Sequence, residues 1–267
     1  MSSDRFGSLT RPPLAAAALQ AALAGPDRPW RALRLVASTG STNADLVEAA
    51  GAGEPAGLVL VAEEQTAGRG RLGRTWSAPA RSGLIFSVLL RPQAPPATLG
   101  WLPLLVGLAV AEAVGRVAEL DVRLKWPNDL LVDDRKLAGV LAERVGTAVV
   151  VGVGLNVSST LAELPVPTAT SLAIEAAACT DRDPLLRAVL RRLAERYASW
   201  DGAGGDPALA DDYRAGCATI GRGVRAELPN GQFVEGVAQR VDDDGRLVIG
   251  TSAGTTRIGA GDVVHLR

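Results

Sequence analysis

The sequence predicts an α/β body followed by a small all-β module. Three observations carry this. From Trp30 onward, short β-type runs alternate with helical patterns, which is the signature of an α/β domain. The length of 267 residues suits one large and one small domain better than a single compact one. After the glycine-rich break at 202–205, the texture changes to short strands separated by turn sequences.

In chain order, residues 14–24 form a short Ala-rich helical stretch closed by Gly25-Pro26, and residues 1–29 read as a lead-in too short for a winged-helix or helix-turn-helix module. Strand patterns follow at 34–38, 57–63, 83–90, 122–125, 137–143 and 148–153. Between them, residues 42–50 begin with a Ser/Thr helix start and residues 99–120 form a long apolar-faced helix. Asp183-Pro184 reads as the cap of a helix with Leu186, Val189, Leu190, Leu193 and Tyr197 on one stripe. The body therefore spans 30–215. A short helix at 207–215 leads into a module at 216–267. Its strands at 224–228, 232–240, 246–250 and 263–266 are separated by Pro229-Asn230-Gly231, residues 242–245 and Ser252-Ala253-Gly254, as in a small five-stranded barrel.

Composition narrows the function. With 47% hydrophobic and 21% charged residues and a formal net charge of −1, the chain has material for a packed core. The longest uninterrupted apolar run, 101–111, falls far short of the ~20 residues of a membrane span, and residues 1–10 are polar, so no membrane attachment and a cytoplasmic protein are expected. Cys179 and Cys217 belong to no C-x-x-C pair, which argues against a zinc site or a disulfide framework and leaves them as buried thiols. The single histidine, His265, removes His-based metal sites and most Ser-His-Asp hydrolase chemistry.

Among the 28 basic residues only Lys125 and Lys136 are lysines, so a compact ammonium is a candidate requirement at those positions. No Asp or Glu occurs between Gln65 and Ala111, whereas Arg69, Arg71, Arg74, Arg81 and Arg91 do. The segment 68–76 alternates glycines with guanidinium groups: glycine admits close backbone approach, and arginine grips carboxylate or phosphate oxygens in a bidentate fork. It reads as an anion-binding loop, with Trp76 adding a flat face for a ring such as adenine. The formal G-x-G-x-x-G match fails as a dinucleotide fingerprint, because Ser77-Ala78-Pro79 follows instead of a helix and Gln93 stands where an acid belongs. A solvated loop or a nucleic-acid contact stays open, though the neutral overall charge weakens the latter.

Lys125-Trp126-Pro127-Asn128-Asp129 is a tight turn that sets an amide beside a carboxylate, suited to ribose or base contacts and to Mg2+, although the same residues are ordinary turn formers. Lys136 opens the strand Lys136-Leu137-Ala138-Gly139-Val140-Leu141. Gly152-Val153-Gly154-Leu155-Asn156 ends a valine run whose glycines permit close approach, with Asn156 at its exposed end. Ser41-Thr42-Asn43 starts a helix, where capping alone explains it.

In this order, Ser41-Thr42-Asn43, Gln65 with 68–76, 125–129, 136–141 and 152–156 resemble the motif set of biotin–protein ligases, and the module from about 216 resembles the SH3-like domain of that family. The resemblance implies a catalytic domain like that of class II aminoacyl-tRNA synthetases, a mixed sheet with helices behind it. It also implies two-step chemistry: biotin and ATP with Mg2+ give biotinyl-5′-AMP, then biotin passes to a lysine of a biotin carboxyl carrier domain of an acyl-CoA carboxylase. By motif correspondence, Ser41, Thr42, Asn43, Gln65, Gly68, Gly70, Gly139 and Gly152 would line the biotin pocket. Arg69, Arg71 and Lys136 would hold carboxylate and phosphate and carry the catalysis. Arg74, Trp76, Lys125, Asn128 and Asn156 would receive the adenylate, and Asp129 the metal. With no room for an N-terminal DNA-binding domain, the chain resembles the monofunctional type and no operator binding is expected. Residues 65–76 are expected to be mobile without ligand and to order over the adenylate. The rivals are a lipoate ligase or octanoyl transferase of the same fold, against which the polar residues at 41–43 and 65 speak, and a non-catalytic nucleotide- or nucleic-acid-binding protein.

Overall fold

The structure is a computed structural model and describes residues 11–202 and 205–266. A seven-stranded sheet of order β1-β2-β3-β7-β6-β5-β4 forms the body. Its strands are β1 (Ala32–Val36), β2 (Leu58–Ala62), β3 (Gly83–Leu90), β4 (Arg123–Lys125), β5 (Asp129–Val132), β6 (Arg135–Val145) and β7 (Ala148–Asn156). Only β1 and β2 run parallel; every other pair is antiparallel, so the predicted mixed sheet is present. β3 and β7, the central pair, are buried along their whole length, as their near-continuous Val/Leu/Ile runs require.

One face carries the main core. There α1 (Ala16–Leu23), α3 (Trp101–Ala118) and α4 (Arg182–Asp201) pack on the sheet. The other face is covered at one end by α2 (Thr42–Gly51), whose Leu46 and Ala50 meet Leu58, Leu60, Leu89 and Val150 in a second, smaller cluster. The remainder of that face is left open. α3 is long and apolar enough to span a membrane, a property that the count of uninterrupted apolar residues overlooks, but most of it is buried between the sheet and α4.

Several expectations need correction. Residues 14–24 of the expected lead-in pack into the core, where Leu19 and Leu23 are fully buried; next to them Trp30, the first residue of the body, is 2% exposed and its Nε1 donates to Leu190 O of α4 at 3.1 Å. The cap of α4 is Asp181, which accepts from Asp183 N at 3.0 Å, so Asp183 lies in the first turn. β5 was hidden because four residues between two turns show no periodicity; Asp133 and Asp134, both at positive φ, close its hairpin with β6. Cys217 is buried but Cys179 is only half-buried.

α5 (Leu209–Gly216) leads to a five-stranded antiparallel sheet of order β11-β10-β9-β8-β12, made of β8 (Gly223–Glu227), β9 (Phe233–Val241), β10 (Leu247–Thr251), β11 (Gly254–Ile258) and β12 (Asp262–His265). The turn expected at Ser252-Ala253-Gly254 is present at Ser252-Ala253, and it leads into β11, a strand absent from the sequence pattern. Two tryptophans of the body donate into the β9–β10 turn: Trp101 Nε1 to Asp243 O at 2.7 Å and Trp126 Nε1 to Gly245 O at 3.0 Å.

A buried ion pair ties the start of the described chain to the core. Arg182 and Glu63, each with a 6% exposed side chain, meet at 2.5 Å; Glu63 also accepts from Leu14 N, and Arg182 donates to Pro12 O. Removing one charge strands the other in a dry site. Arg182→Met is therefore expected to lower unfolding free energy by ~3–5 kcal/mol in urea titrations, with much of the loss recovered in Glu63→Gln/Arg182→Met. A loss below ~1 kcal/mol contradicts this assignment.

Candidate active site

The open part of the sheet face is defined by strand alternation. Leu84, Phe86 and Val88 of β3 and Val151, Val153 and Leu155 of β7 point into the main core. That sends Ile85, Ser87, Gly152 and Gly154 to the opposite face, where the register sets Gly139 beside Gly154 and Leu141 beside Gly152. Three of these positions carry no side chain, so the face is recessed. The resulting cleft, with the arginine-rich loop lying across it, keeps a cavity of about 100 Å3.

The start of α2 forms a polar wall. Ser41 caps the helix through its Oγ, which accepts from Ala44 N at 3.4 Å, so the ordinary capping role is real. Thr42 and Asn43, both buried, are held by partners from three strands or loops. Gln65 Oε1 accepts from Thr42 N at 2.8 Å and Thr42 Oγ1 at 3.0 Å. Ser87 Oγ donates to Asn43 Oδ1 at 2.6 Å and sits 2.8 Å from Thr42 Oγ1, while Asn43 Nδ2 donates to Leu141 O at 3.2 Å and Glu143 Oε2 at 2.8 Å. Gly152 makes room for this: a Cβ there would lie 2.9 Å from Asn43 Cγ and closer still to Oδ1.

The arginine-rich loop folds across the cleft as a flap. It is closed on itself by Trp76 N donating to Gly68 O at 2.9 Å and Gly70 N to Arg74 O at 2.7 Å. Each of its cations already has a partner. Arg69 lies 3.8 Å from Glu143, Arg71 donates to Asn128 Oδ1 and to Gly261 O at 3.2 Å each, and Arg74 pairs with Asp262 at the start of β12. Burial pushes the Arg71 guanidinium below its ordinary value, against the opposing pull of Asp129 and Asp262. Lys136 Nζ stands 2.6 Å from Asp129 Oδ1 and 5.9 Å from the centre of the Trp76 ring. The Trp76 indole lies on the glycine floor, and its buried Nε1 has no hydrogen-bond partner among the described residues. An unpaired buried donor at the bottom of a cleft is a place for a ligand acceptor.

Of the residues singled out from the sequence, Ser41, Thr42, Asn43, Gln65, Arg69, Gly70, Arg71, Arg74, Trp76, Asn128, Asp129, Lys136, Gly139 and Gly152 all line this cleft. Three do not. Gly68 is buried behind the flap, where a Cβ would meet Gln65 Nε2 at 2.6 Å; its part is in folding the loop. Lys125 pairs in register with Asp129, yet its charge falls beside His265 of β12, because the turn at Trp126-Pro127 separates it from Asn128. Asn156 is buried instead of exposed: residues 168–172 fold back over the strand end, so that Asn156 Nδ2 donates to Thr170 O at 2.9 Å and Lys136 N to Thr168 O at 2.7 Å. Sequence reasoning missed Ser87, Glu143 and Asp262, and it read Gly154 as a point of close approach without placing it in the site. None of those three carries a local signal, since Ser87 and Glu143 reach the site through strand register and Asp262 through docking of the terminal module.

Among the described residues, no three His, Cys, Asp or Glu side chains gather as a metal cage. Asp129 offers one carboxylate, which fits a cation held jointly by substrate phosphates and water rather than a resident metal. The glycine floor is testable: a Cβ at Gly154 would lie 2.6 Å from Trp76 Cζ2, so Gly154→Ala is expected to lift the indole and raise acrylamide quenching of tryptophan fluorescence. Quenching equal to that of the unsubstituted protein contradicts this packing.

Comparison with known proteins agrees with this geometry. Residues 36–157 match the Biotin/lipoate A/B protein ligase family, and residues 219–266 match the Biotin protein ligase C terminal domain. The chain is 48% identical over 262 residues to the biotin--[acetyl-CoA-carboxylase] ligase of Mycobacterium tuberculosis, covering 96% of this chain and 97% of that protein. It is 33% identical to the bifunctional ligase/repressor BirA of Bacillus subtilis over 84% of this chain and 70% of that one. Among solved structures, the biotin protein ligase from Aquifex aeolicus in complex with biotin and ATP superposes with a TM-score of 0.77 at 31% identity, over 89% of this chain and all of that one. The mixed sheet of class II aminoacyl-tRNA synthetase type and the terminal antiparallel module are thus shared features, and the chain belongs to the biotin protein ligase family.

Proposed function

We infer that the chain is an ATP-dependent biotin–protein ligase, which forms biotinyl-5′-AMP from biotin and ATP and then transfers biotin to a lysine of the biotin carboxyl carrier domain of acetyl-CoA carboxylase. The observation that carries this reading is the convergence of Arg69, Arg71 and Lys136 on a recessed, glycine-floored face beside the polar wall of Ser41, Thr42, Asn43 and Gln65. In this reading the polar wall and Gln65 hold the biotin ring system, with Gly139 and Gly152 giving it depth. A lipoyl or octanoyl tail would have no use for so many buried hydrogen-bonding groups, which favours biotin within the shared fold. Residues 30–215 form the biotin- and ATP-binding domain and residues 216–267 the terminal module.

The first half-reaction brings a carboxylate against the α-phosphate of ATP, so negative charge accumulates where two anions meet. Arg71 and Lys136 are the residues proposed to stabilise that charge, with Arg69 orienting the carboxylate. Both lie in a partly buried site where fixed cations act more strongly than in water. Without ligand they are engaged by Asn128, Asp129 and a backbone carbonyl; substrate oxygens replace those acceptors at little reorganisation cost. Trp76, Arg74 and Asn128 are proposed to receive the nucleoside and phosphate. Lys125 and Asn156 are left to support strand ends, since neither lines the cleft. Mg2+, when bound beside Asp129, supplies further charge to the phosphate oxygens. The flap then excludes water from a mixed anhydride that hydrolyses readily, until an acceptor lysine arrives.

Because the flap cations are engaged around the cleft rather than spread as a basic stripe, operator DNA and membrane surfaces are not proposed as partners. Use of ATP and of a carboxylase carrier domain fits the cytoplasm.

Arg71→Ala is expected to slow biotin-dependent pyrophosphate release by about 10^2- to 10^3-fold, the effect of removing a preorganised charge donor; near-normal turnover excludes the assigned role. Limited proteolysis within residues 65–76 is expected to fall when biotin and MgATP are added, as the flap orders over the adenylate. Cleavage unchanged by ligand contradicts the gating role.

A further inference from the structure

We propose that Thr219 is a positioning residue for the adenylation step: from the start of the terminal module it fixes the backbone of the 125–129 turn, and through it Asn128 and Asp129 beneath the flap. The inference rests on the ligase reading above.

The turn is attached to the module at several points. Trp126, 1% exposed, donates its backbone N–H to Thr219 Oγ1 at 3.0 Å, and Thr219 is fully buried. One residue earlier, Ala218 N donates to Leu124 O at 2.7 Å, and the Trp126 indole reaches Gly245 O. On the cleft side, the same turn is closed by Asn128 N to Lys125 O at 3.2 Å and docked on β6 by reciprocal bonds between Asn128 and Val140, at 2.9 and 3.0 Å. Asn128 Oδ1 is the acceptor for Arg71, and Asp129 the partner of Lys136. A displacement of the Trp126 backbone therefore moves the acceptors that aim both proposed catalytic cations. Nothing on the biotin side, at 41–43 or 65, bonds to this turn directly.

Thr219 is itself clamped. His265 Nε2 lies 3.0 Å from Thr219 Oγ1, and Nδ1 lies 3.4 Å from an Arg222 guanidinium nitrogen. A guanidinium only donates, so Nδ1 accepts, the ring proton sits on Nε2, and Nε2–H donates to Thr219. The threonine oxygen thus accepts twice, once from each side of the junction. Burial, then the charges of Lys125 and Arg222, hold His265 down at about 4, against the opposite effect of Asp134, so the neutral ring and this bond persist at neutral pH. Arg222 is anchored in turn on Asp134 of the β5–β6 hairpin at 2.8 Å. Neither Thr219 nor His265 lines the cleft, which makes their action indirect.

The test compares full-length wild type, Thr219→Val and Thr219→Ser in biotin-dependent pyrophosphate release, with biotin affinity measured separately by calorimetry. Valine keeps the shape and removes the acceptor; serine keeps it. Thr219→Val is expected to lower kcat/KM for ATP about tenfold while leaving the biotin Kd within about twofold, and Thr219→Ser to restore most of the loss, since a buried N–H without a partner displaces the turn. An unchanged kcat/KM for ATP, or a joint decline of both substrates that serine does not rescue, overturns the proposal. Should Thr219→Val be unfolded by circular dichroism, His265→Leu decides: a decrease of about threefold on the ATP side alone supports it, and no decrease overturns it. A wild type without biotin-dependent pyrophosphate release overturns the ligase reading itself, which separates that failure from failure of this inference alone.

Discussion

The site depends on what is missing from three adjacent positions of the sheet. Gly139, Gly152 and Gly154 share a face of β6 and β7; at Gly152 and Gly154 a side chain from elsewhere occupies the space a Cβ would take, and at Gly139 Lys136 and Trp76 come into van der Waals contact. Asn43 enters over Gly152, which lets it bond Ser87, Leu141 and Glu143 at once. Trp76 lies over Gly154 and against Gly139, which brings the flap down onto the sheet. A closely packed interior has no spare volume for such approaches unless side chains are absent. The cost to the strands is small here because β7 sits between β3 and β6 and is buried on both faces.

The electrostatics follow from that geometry. Flap and sheet approach closely enough for Arg69, Arg71, Arg74 and Lys136 to find Glu143, Asn128, Asp262 and Asp129. Four long cations thus meet three carboxylates and one neutral amide around a half-buried cavity, where pairing offsets the cost of desolvation. The circle includes Asp262 and Gly261 from the terminal module, so the flap touches both sheets. The Thr219–Trp126 junction makes a second link between them from behind the cleft. One link meets the flap and the other meets the residues under it.

What was readable in the sequence was what is local. Ser41-Thr42-Asn43, the flap, Lys136 and the 125–129 turn each advertise their chemistry within a few residues, and the structure brings fourteen of the singled-out positions to one cleft. Ser87 and Glu143 act only through cross-strand register, and Asp262 only through the docking of one sheet on another; no spacing in the chain encodes either. Lys125 and Asn156 stand outside the cleft lining for the reverse reason. Each lies inside a strong motif, but a turn directs one toward His265 and residues 168–172 bury the other. In the fold, β5 and β11 were too short for periodicity, and α1 was too weakly patterned to reveal that Leu19 and Leu23 belong to the core.

A crystal structure of the protein with biotinyl-5′-AMP tests the central claim most directly. The account predicts the acyl portion on the face between Gly139, Gly152 and Gly154, the phosphate within hydrogen-bond reach of Arg71 and Lys136, and residues 68–76 closed above. Ligand density away from that face, with the flap and the Trp76 indole in the same place as without ligand, would contradict it.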